Sequence, residues 1–354
     1  MLGRRPVLSS SGPVTPSFAF DEEIAACDLC GGRDFAILSS AANVRACVRC
    51  GYRFVSPRPS QAQIAASYSD PSFYSGWIDD DAGRQRMWSG RLDLLHRVGA
   101  GARVIDVGAG IGTFLAMGRD RYGWQVTGTE ISSSAVQLAR DRHGVDLMLG
   151  DAASLELPEH AFDLVTLWHV LEHVPSPSRT LSLCRRLLRK EGLLAIAVPN
   201  SDDARGWLIR TKANLRGKLV PERYEPLRPH SEVHLSHFTS RVLVNALRDR
   251  GFRVERVTLD NQYANPTIRT DTLVRSYRLI RNLTGLNFGQ ATFVLARSII
   301  DVLGEDVLMW QSDFPHPQCD WPNSPDRVLE WTNIPEPAKR KLLAGNAERY
   351  MRMM

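Results

Sequence analysis

Val104-Ile105-Asp106-Val107-Gly108-Ala109-Gly110-Ile111-Gly112-Thr113-Phe114 reads as a strand, a glycine-rich turn and the start of a helix. Apolar residues on both sides of Asp106 suit a strand buried on both faces, as in a parallel sheet. The glycines let the backbone pass close beneath a ligand and open the helix. The spacing is not that of a dinucleotide loop, G-x-G-x-x-G. Counting from Gly108 or from Gly110, the third glycine would fall on Thr113 or Leu115. A carboxylate, Asp106, stands just before the glycines. It would repel a pyrophosphate and suits a ligand that carries a cation.

Outward from this stretch, strands and helices alternate. Residues 85–98 read as an amphipathic helix, 103–107 and 124–130 as strands, and 132–142 as a helix capped by Ser132. Residues 147–149 form a short strand and 162–169 a long apolar one. A helix over 178–190 is expected to stop at Gly192, followed by a strand over 193–199. A helix over 240–250 stops at Gly251, with strands over 252–259 and 291–296. Such alternation means α/β, a mostly parallel sheet with helices on both faces. Its ligands sit beyond the carboxyl ends of the strands.

Two more acids fall at that edge. Glu130 ends the second strand, twenty residues after Gly110, where a ribose-binding acid belongs. Asp151 follows the third strand and is placed, with the Ala152 amide, to meet an adenine amino group. Any one of these acids alone reads as a capped turn or a solvated loop. Three in register with the glycines read as a site for an amino-acid ammonium, a ribose and an adenine.

With these pieces the chain resembles the class I S-adenosylmethionine-dependent methyltransferases. The matching parts are Asp106 with Gly108, Gly110 and Gly112, then Glu130, Asp151, the strand ending Trp168-His169, and the strand ending Val198-Pro199-Asn200. The run Trp168-His169-Val170-Leu171-Glu172-His173-Val174 and the run His234-Leu235-Ser236-His237-Phe238 are similar to the ubiquinone-biosynthesis branch. The resemblance covers about residues 85–260 and implies a Rossmann-like seven-stranded methyltransferase sheet whose last strand is antiparallel. It implies S-adenosyl-L-methionine as cofactor, with Trp168 walling its site.

Methyl transfer to a hydroxyl or an acidic carbon needs a base. His169, at the carboxyl end of the fourth strand, and His173, four residues on, are the candidates. Both could equally be structural histidines bonded to loop backbone. Among His230, His234 and His237 the spacing matches no zinc signature, and His234 is the one expected to face the substrate.

Ahead of the core, Cys27-Asp-Leu-Cys30 and Cys47-Val-Arg-Cys50 are separated by sixteen residues, the spacing of a zinc ribbon. Gly31 and Gly51 follow the second cysteine of each pair. Four thiolates would close a structural Zn2+ site with no open position. The alternative is four incidental thiols or two disulfides. Cys184 reads as core, and Cys319 has no partner motif. The aromatics Tyr68, Phe73, Tyr74 and Trp77 are read as glue between ribbon and core rather than as a pocket wall.

The 354 residues thus divide into a flexible lead (1–20), a zinc-ribbon-like module (21–60), a linker with helices (61–100), a methyltransferase domain (101–300) and a C-terminal extension (301–354) with Trp310, Trp321 and Trp331. Inside the domain lies a basic insertion (201–235). Residues 204–220 hold Arg205, Arg210, Lys212, Arg216 and Lys218 and no acid, so Arg205 and Arg210 are candidates to hold an anionic substrate. Contact with anionic lipid or RNA, or a solvated helix face, explains them as well.

With 43% hydrophobic and 23% charged residues, the chain is not fibrous, coiled-coil or disordered. A net charge of +5 over this length argues against a dedicated nucleic-acid binder. No apolar run is long enough to span a bilayer and no signal-peptide core is evident, so a cytoplasmic protein is expected. The leading expectation is methylation of a small molecule or glycan, including a nucleotide sugar or surface-polysaccharide precursor. The alternatives are an RNA base methyltransferase and a non-catalytic binding protein. The aromatic extension suits packing on the body or on a second copy in a homo-oligomer.

Overall fold

The computed structural model describes residues 18–70, 74–95, 97–201, 204–216, 223–229, 231–260 and 291–298, with isolated positions between 272 and 284 and at 339. Residues 1–17 of the expected lead, almost all of the C-terminal extension with its three tryptophans and Cys319, together with Phe73, the Trp77 side chain, Lys218 and His230, lie outside the described residues.

Three short strands come first: β1 (Phe35–Ser39), β2 (Val44–Cys47) and β3 (Arg53–Val55). Helices α1 (Gln61–Tyr68), α2 (Ser75–Asp79) and α3 (Asp81–Leu94) lead into the core. The expected helix over 85–98 therefore begins and ends about four residues earlier. The core runs β4 (Arg103–Val107), α4 (Thr113–Tyr122), β5 (Gln125–Glu130), α5 (Ser133–His143), β6 (Met148–Leu149), β7 (Phe162–Trp168), α6 (Pro177–Leu187) and β8 (Leu188–Pro199). Then follow α7 (Ala204–Leu215), β9 (Ser236–His237), α8 (Ser240–Arg248), β10 (Phe252–Leu259) and β11 (Ala291–Ser298). The cap chemistry matches the sequence at most starts. Ser60, Ser132, Ser176 and Thr239 each accept a backbone N–H from the first turn of α1, α5, α6 and α8.

The main sheet has seven strands in the order β10-β11-β8-β7-β4-β5-β6. β4 is parallel to both β5 and β7, and β11 runs antiparallel between β8 and β10. The chain leaves β4 toward β5 and β6, then crosses back to β7 and β8. The reversal beside β4 creates the crevice in which ligands bind in such sheets.

One expected boundary is overturned. The helix after Ser176 does not run to Gly192. It ends at Leu187, and β8 starts at once with Leu188, which pairs with Phe162. Leu187 and Leu188 are both fully buried, so core packing rather than the downstream glycine ends the helix. The backbone relieves itself at Glu191, whose φ is 62°.

The front module is not a separate bead. β1, β2 and β3 form an antiparallel sheet whose fourth strand is β9, from beyond β8 and α7 in sequence, with Arg53 opposite His237. Cys27, Cys47, Tyr52 and Phe54 belong to the same buried cluster as Ile105, Phe162, Phe238 and Val242. The Asp28 carboxylate accepts from Ser176 Oγ at 2.6 Å, Ser178 N at 2.7 Å and Ser178 Oγ at 2.9 Å, binding the first cysteine turn to the start of α6. Among the described residues no helix is long and apolar enough to cross a membrane.

Candidate functional site

The loop after β4 turns through three left-handed glycines, Gly108, Gly110 and Gly112, with φ between 56° and 75°. A Cβ on Gly108 would lie 2.6 Å from Val170 Cγ2, so the loop and the segment after β7 pass in contact. Gly112 plays a different part: a Cβ there would press on Ala139 and Val145, which is helix packing.

A cavity of about 260 Å³ opens above this loop. Gly108, Gly110, Glu130, Asp151, Ala152, Trp168, His169 and His173 all line it. Asp106, Gly112 and His234 do not. The Asp106 carboxylate is buried behind the loop and accepts from Thr166 Oγ1 at 2.6 Å. Burial raises its pKa to about 7 against that hydrogen bond.

Glu130 is clamped by backbone. Its carboxylate accepts from Gly110 N at 2.9 Å, Ile131 N at 2.8 Å and Ser132 N at 2.9 Å. Burial raises its pKa and these three bonds oppose the rise. Each oxygen still has lone-pair capacity for a hydroxyl donor. Asp151 caps the short turn Ala152–Ser154 through Ala153 N, and its other oxygen accepts from Gln61 Nε2 at 3.3 Å. Trp168 lies mostly in the core, stacked on Phe293 with centroids 5.7 Å apart.

The two histidines differ in kind. His169 sits just past β7 with φ of 58°, its N–H donating to Ala197 O. Its Nδ1 is 3.2 Å from Glu172 Oε1 and its Nε2 3.3 Å from Asp260 Oδ2. Ionised carboxylates only accept, so both ring nitrogens carry protons. Burial by itself would lower the His169 pKa, but the bonds to Asp260 and Glu172 outweigh it and push it up to about 9. Asp260 is in turn paired with Arg91, whose Nη2 is 2.5 Å away and whose guanidinium lies over Trp88 and Trp168. Burial opposes ionisation of Asp260, but these two cationic neighbours hold its pKa well below the carboxylate range.

His173 is neutral. Its Nδ1 lies 2.7 Å from Val233 O, which only accepts, so Nδ1 is the protonated nitrogen and Nε2 holds the lone pair. Tyr68 OH, 3.0 Å from Nδ1, takes a bond from Val233 N and steadies the ring. Burial holds its pKa below the ordinary imidazole value. His234 stacks edge-on against His173 at 5.0 Å and meets Glu232 Oε2 at 3.5 Å. Glu172, His173 and His234 bring one donor atom each within 4.8 Å of one another.

Sequence reasoning missed two of these participants, Asp260 and Arg91. Tyr68 and Tyr74 line the cavity, the alternative to their reading as glue. Asp260 and Arg91 reach His169 only through the tertiary fold. The one sequence signal was the position of Asp260 directly after a strand. Arg205 and Arg210 lie on α7, and their side chains are outside the described residues.

The four front thiols converge. Cys27 and Cys50 Sγ are 3.6 Å apart, Cys30 and Cys47 Sγ 3.5 Å, and all four lie within 4.8 Å of one another. Thiolates bound at ~2.3 Å around one tetrahedral ion would sit about 3.8 Å apart, so the donor set fits Zn2+. Gly31 N donates to Cys27 O and Gly51 N to Cys47 O, closing the two turns. None of the four is in a disulfide.

Residues 81–257, half of the chain, match the family model described as a methyltransferase domain. The chain belongs to that family. Among curated relatives of this methyltransferase-domain protein, the ubiquinone biosynthesis O-methyltransferase of Xanthomonas oryzae pv. oryzae is 36% identical over 140 residues, covering 38% of this chain and 56% of the relative. The demethylmenaquinone methyltransferase of Listeria welshimeri is 30% identical over 128 residues, covering 34% and 54%. The chain thus spans about half the length of the curated relatives it matches. Among solved structures, a SAM-dependent methyltransferase from Aquifex aeolicus aligns over 65% of this chain and 99% of its own, at 18% identity and a TM-score of 0.43.

Proposed function

We propose that this protein is a cytoplasmic S-adenosylmethionine-dependent methyltransferase acting on a small-molecule acceptor, with a glycan precursor such as a nucleotide-linked sugar as the class it suits best. One observation carries the reading. The glycine loop, Glu130 and Asp151 face one cavity at the carboxyl ends of β4, β5 and β6, the edge at which such sheets bind ligands. In this reading Gly108 and Gly110 let backbone meet the amino-acid part of the donor. Glu130 accepts from the ribose hydroxyls, and Asp151 with Ala152 meets the adenine. Asp106, behind the loop, adds negative field toward the cationic end.

Bound S-adenosylmethionine supplies a sulfonium methyl group for in-line displacement. The protein's own contribution is alignment and a proton acceptor. His173 is the base: with Nδ1 held by Val233 O, the lone pair lies on Nε2, 3.9 Å from Glu172 Oε1. His169, doubly protonated between Glu172 and Asp260, serves as a fixed cation that positions the wall of the site. Cys27, Cys30, Cys47 and Cys50 hold a structural Zn2+ that fixes the front module.

The test is calorimetric titration with S-adenosylhomocysteine, followed by incubation with radiolabelled S-adenosylmethionine and a cell extract. Wild type binds and labels a product; Glu130→Gln places an amide donor against Gly110 N–H and binds at least about tenfold more weakly. Equal affinity in the two proteins refutes the mapping.

A further inference from the structure

A line of alternating charge runs from the core to His173. Arg91 pairs with Asp260, Asp260 Oδ2 lies 3.3 Å from His169 Nε2, and His169 Nδ1 lies 3.2 Å from Glu172 Oε1. Glu172 Oε1 in turn stands 3.9 Å from His173 Nε2. Arg91, Asp260 and Glu172 are all buried. The signs read plus, minus, plus, minus, and the line ends on a neutral imidazole. His173 lines the main cavity and Glu172 does not, so Glu172 reaches a bound acceptor only through His173.

Glu172 holds its neighbour in two ways. Its backbone carbonyl accepts from Leu235 N at 2.8 Å and from Ser236 N at 3.0 Å. Those bonds fix the segment leading into β9, and Val233 on that segment presents the carbonyl that takes the Nδ1 proton of His173. The lone pair of His173 therefore sits on Nε2 because of where the Glu172 carbonyl sits. The carboxylate, only 1% exposed, is the second hold. Burial opposes its ionisation, but the bond from His169 leads the groups that keep its pKa below the ordinary value. Its Oε2 is buried with no hydrogen-bond partner. A buried carboxylate with one unanswered oxygen is costly, and positive charge arriving at His173 Nε2 offsets part of that cost. That charge exists at one moment only, after the acceptor hydroxyl has passed its proton to Nε2.

We propose that Glu172 is the positioning residue of the base: its backbone carbonyl sets the tautomer of His173, and its carboxylate stabilises the imidazolium that forms when the acceptor gives up its proton. The proposal rests on the methyltransferase reading and deepens it. His169 acts one step further back, as the cation that keeps Glu172 ionised. Three other groups face His173. Glu232 and His234 come from the segment leading into β9, and Tyr68 comes from α1. The Glu232 side chain is 65% exposed, so water and salt screen it. His234, when protonated, opposes a charge on His173. Burial pushes the pKa of the Tyr68 hydroxyl up, so it stays neutral. Of the two acids, Glu172 is the buried one, and it has the stronger hold on His173.

The experiment is NMR titration of the histidine ring resonances in the full-length, ligand-free protein, for wild type, Glu172→Gln, Glu172→Asp and Glu232→Gln. The amide of Glu172→Gln keeps the backbone carbonyl and the side-chain shape and removes the charge. The His173 pKa should fall by at least about one unit in Glu172→Gln, the effect of losing an opposite charge at this range. It should fall less in Glu172→Asp, which draws the charge back by one methylene, and least in Glu232→Gln. Where Glu172→Gln does not fold, the fall in Glu172→Asp carries the test. A His173 pKa that the Glu172 variants leave unchanged or raise overturns the proposal, as does a larger fall in Glu232→Gln. Glu172, His173 and His234 also bring one donor atom each within 4.8 Å of one another. A second divalent ion per chain by atomic emission, beyond the one at the four cysteines and lost in Glu172→Gln, would make Nε2 a ligand and overturn it too. The pH dependence of product labelling in the cell extract separates this coupling from the parent reading. Its acid limb should move down with the His173 pKa, and the plateau should drop because a weaker base takes the proton less readily. A limb that stays in place while the resonance moves upholds the tie between Glu172 and His173 and removes His173 as the base instead.

Discussion

Replacing His169 by asparagine tests whether this residue is a fixed cation. Asparagine tolerates the left-handed backbone that His169 adopts, so the turn after β7 is kept. The rise from 6.5 to about 9 in the folded state corresponds to about 3 kcal/mol of extra affinity for the proton. The sign follows from linkage. A group whose pKa is raised by folding contributes fully below its unfolded value and loses that contribution as pH climbs through the folded one. Wild type should therefore exceed His169→Asn in stability at pH 6, and the gap should narrow by about 3 kcal/mol between pH 6 and pH 10. Urea unfolding of both proteins at several pH values measures the gap, which removes groups common to the two. The imidazole resonances of His169, followed by NMR, give its pKa directly. A gap that stays constant, or a His169 that titrates at or below 6.5, would falsify the fixed-cation account and return His169 to the list of candidate bases.

Other perturbations address other parts of the molecule. Cys27→Ser should bring zinc content, measured by atomic emission, from one ion per chain to near zero and lower the melting temperature; a variant as stable as wild type without metal counts against the closed site. Asp28→Ala removes three hydrogen bonds to Ser176 and Ser178 and should cost about 1–3 kcal/mol in urea unfolding, with no change pointing to a module that is not docked. Gly108→Ala sets a Cβ against Val170 at φ of 70° and should weaken S-adenosylhomocysteine about tenfold; undiminished binding would show that the donor does not lie over this loop.

What could be read along the chain was whatever is written in contiguous residues. The glycine loop after β4, the acids at the ends of β5 and β6, and the two cysteine turns each carry their chemistry in a short window. The antiparallel last strand came from the resemblance, and β11 occupies that place. What could not be read depends on distant partners. Gly192 looks like a helix stop, but burial of Leu187 and Leu188 against β7 decides where α6 ends. Tyr68 faces the cavity because Val233, 165 residues away, meets its hydroxyl. The charge state of His169 rests on Asp260, 91 residues on, and through it on Arg91. The role of Trp168 is shared: it lines the cavity, yet its stacking on Phe293 makes it a core residue first.

The union of β3 with β9 has a consequence for how the chain folds. Tyr52 and Ser236, joined through their hydroxyls at 2.6 Å, are 184 positions apart. Closing so long a loop costs on the order of 5 kcal/mol of chain entropy before the pairing returns anything. On the ribosome both cysteine turns emerge early and can close on each other, while the strand that completes their sheet is among the later segments synthesised. A nascent chain therefore carries an open sheet edge until residue 237 arrives, and β10 and β11, which complete the main sheet beside β8, come later still. Completion of the front sheet should thus wait on residues synthesised well after its cysteine turns, and a chain cut short before residue 236 should leave that sheet with three strands.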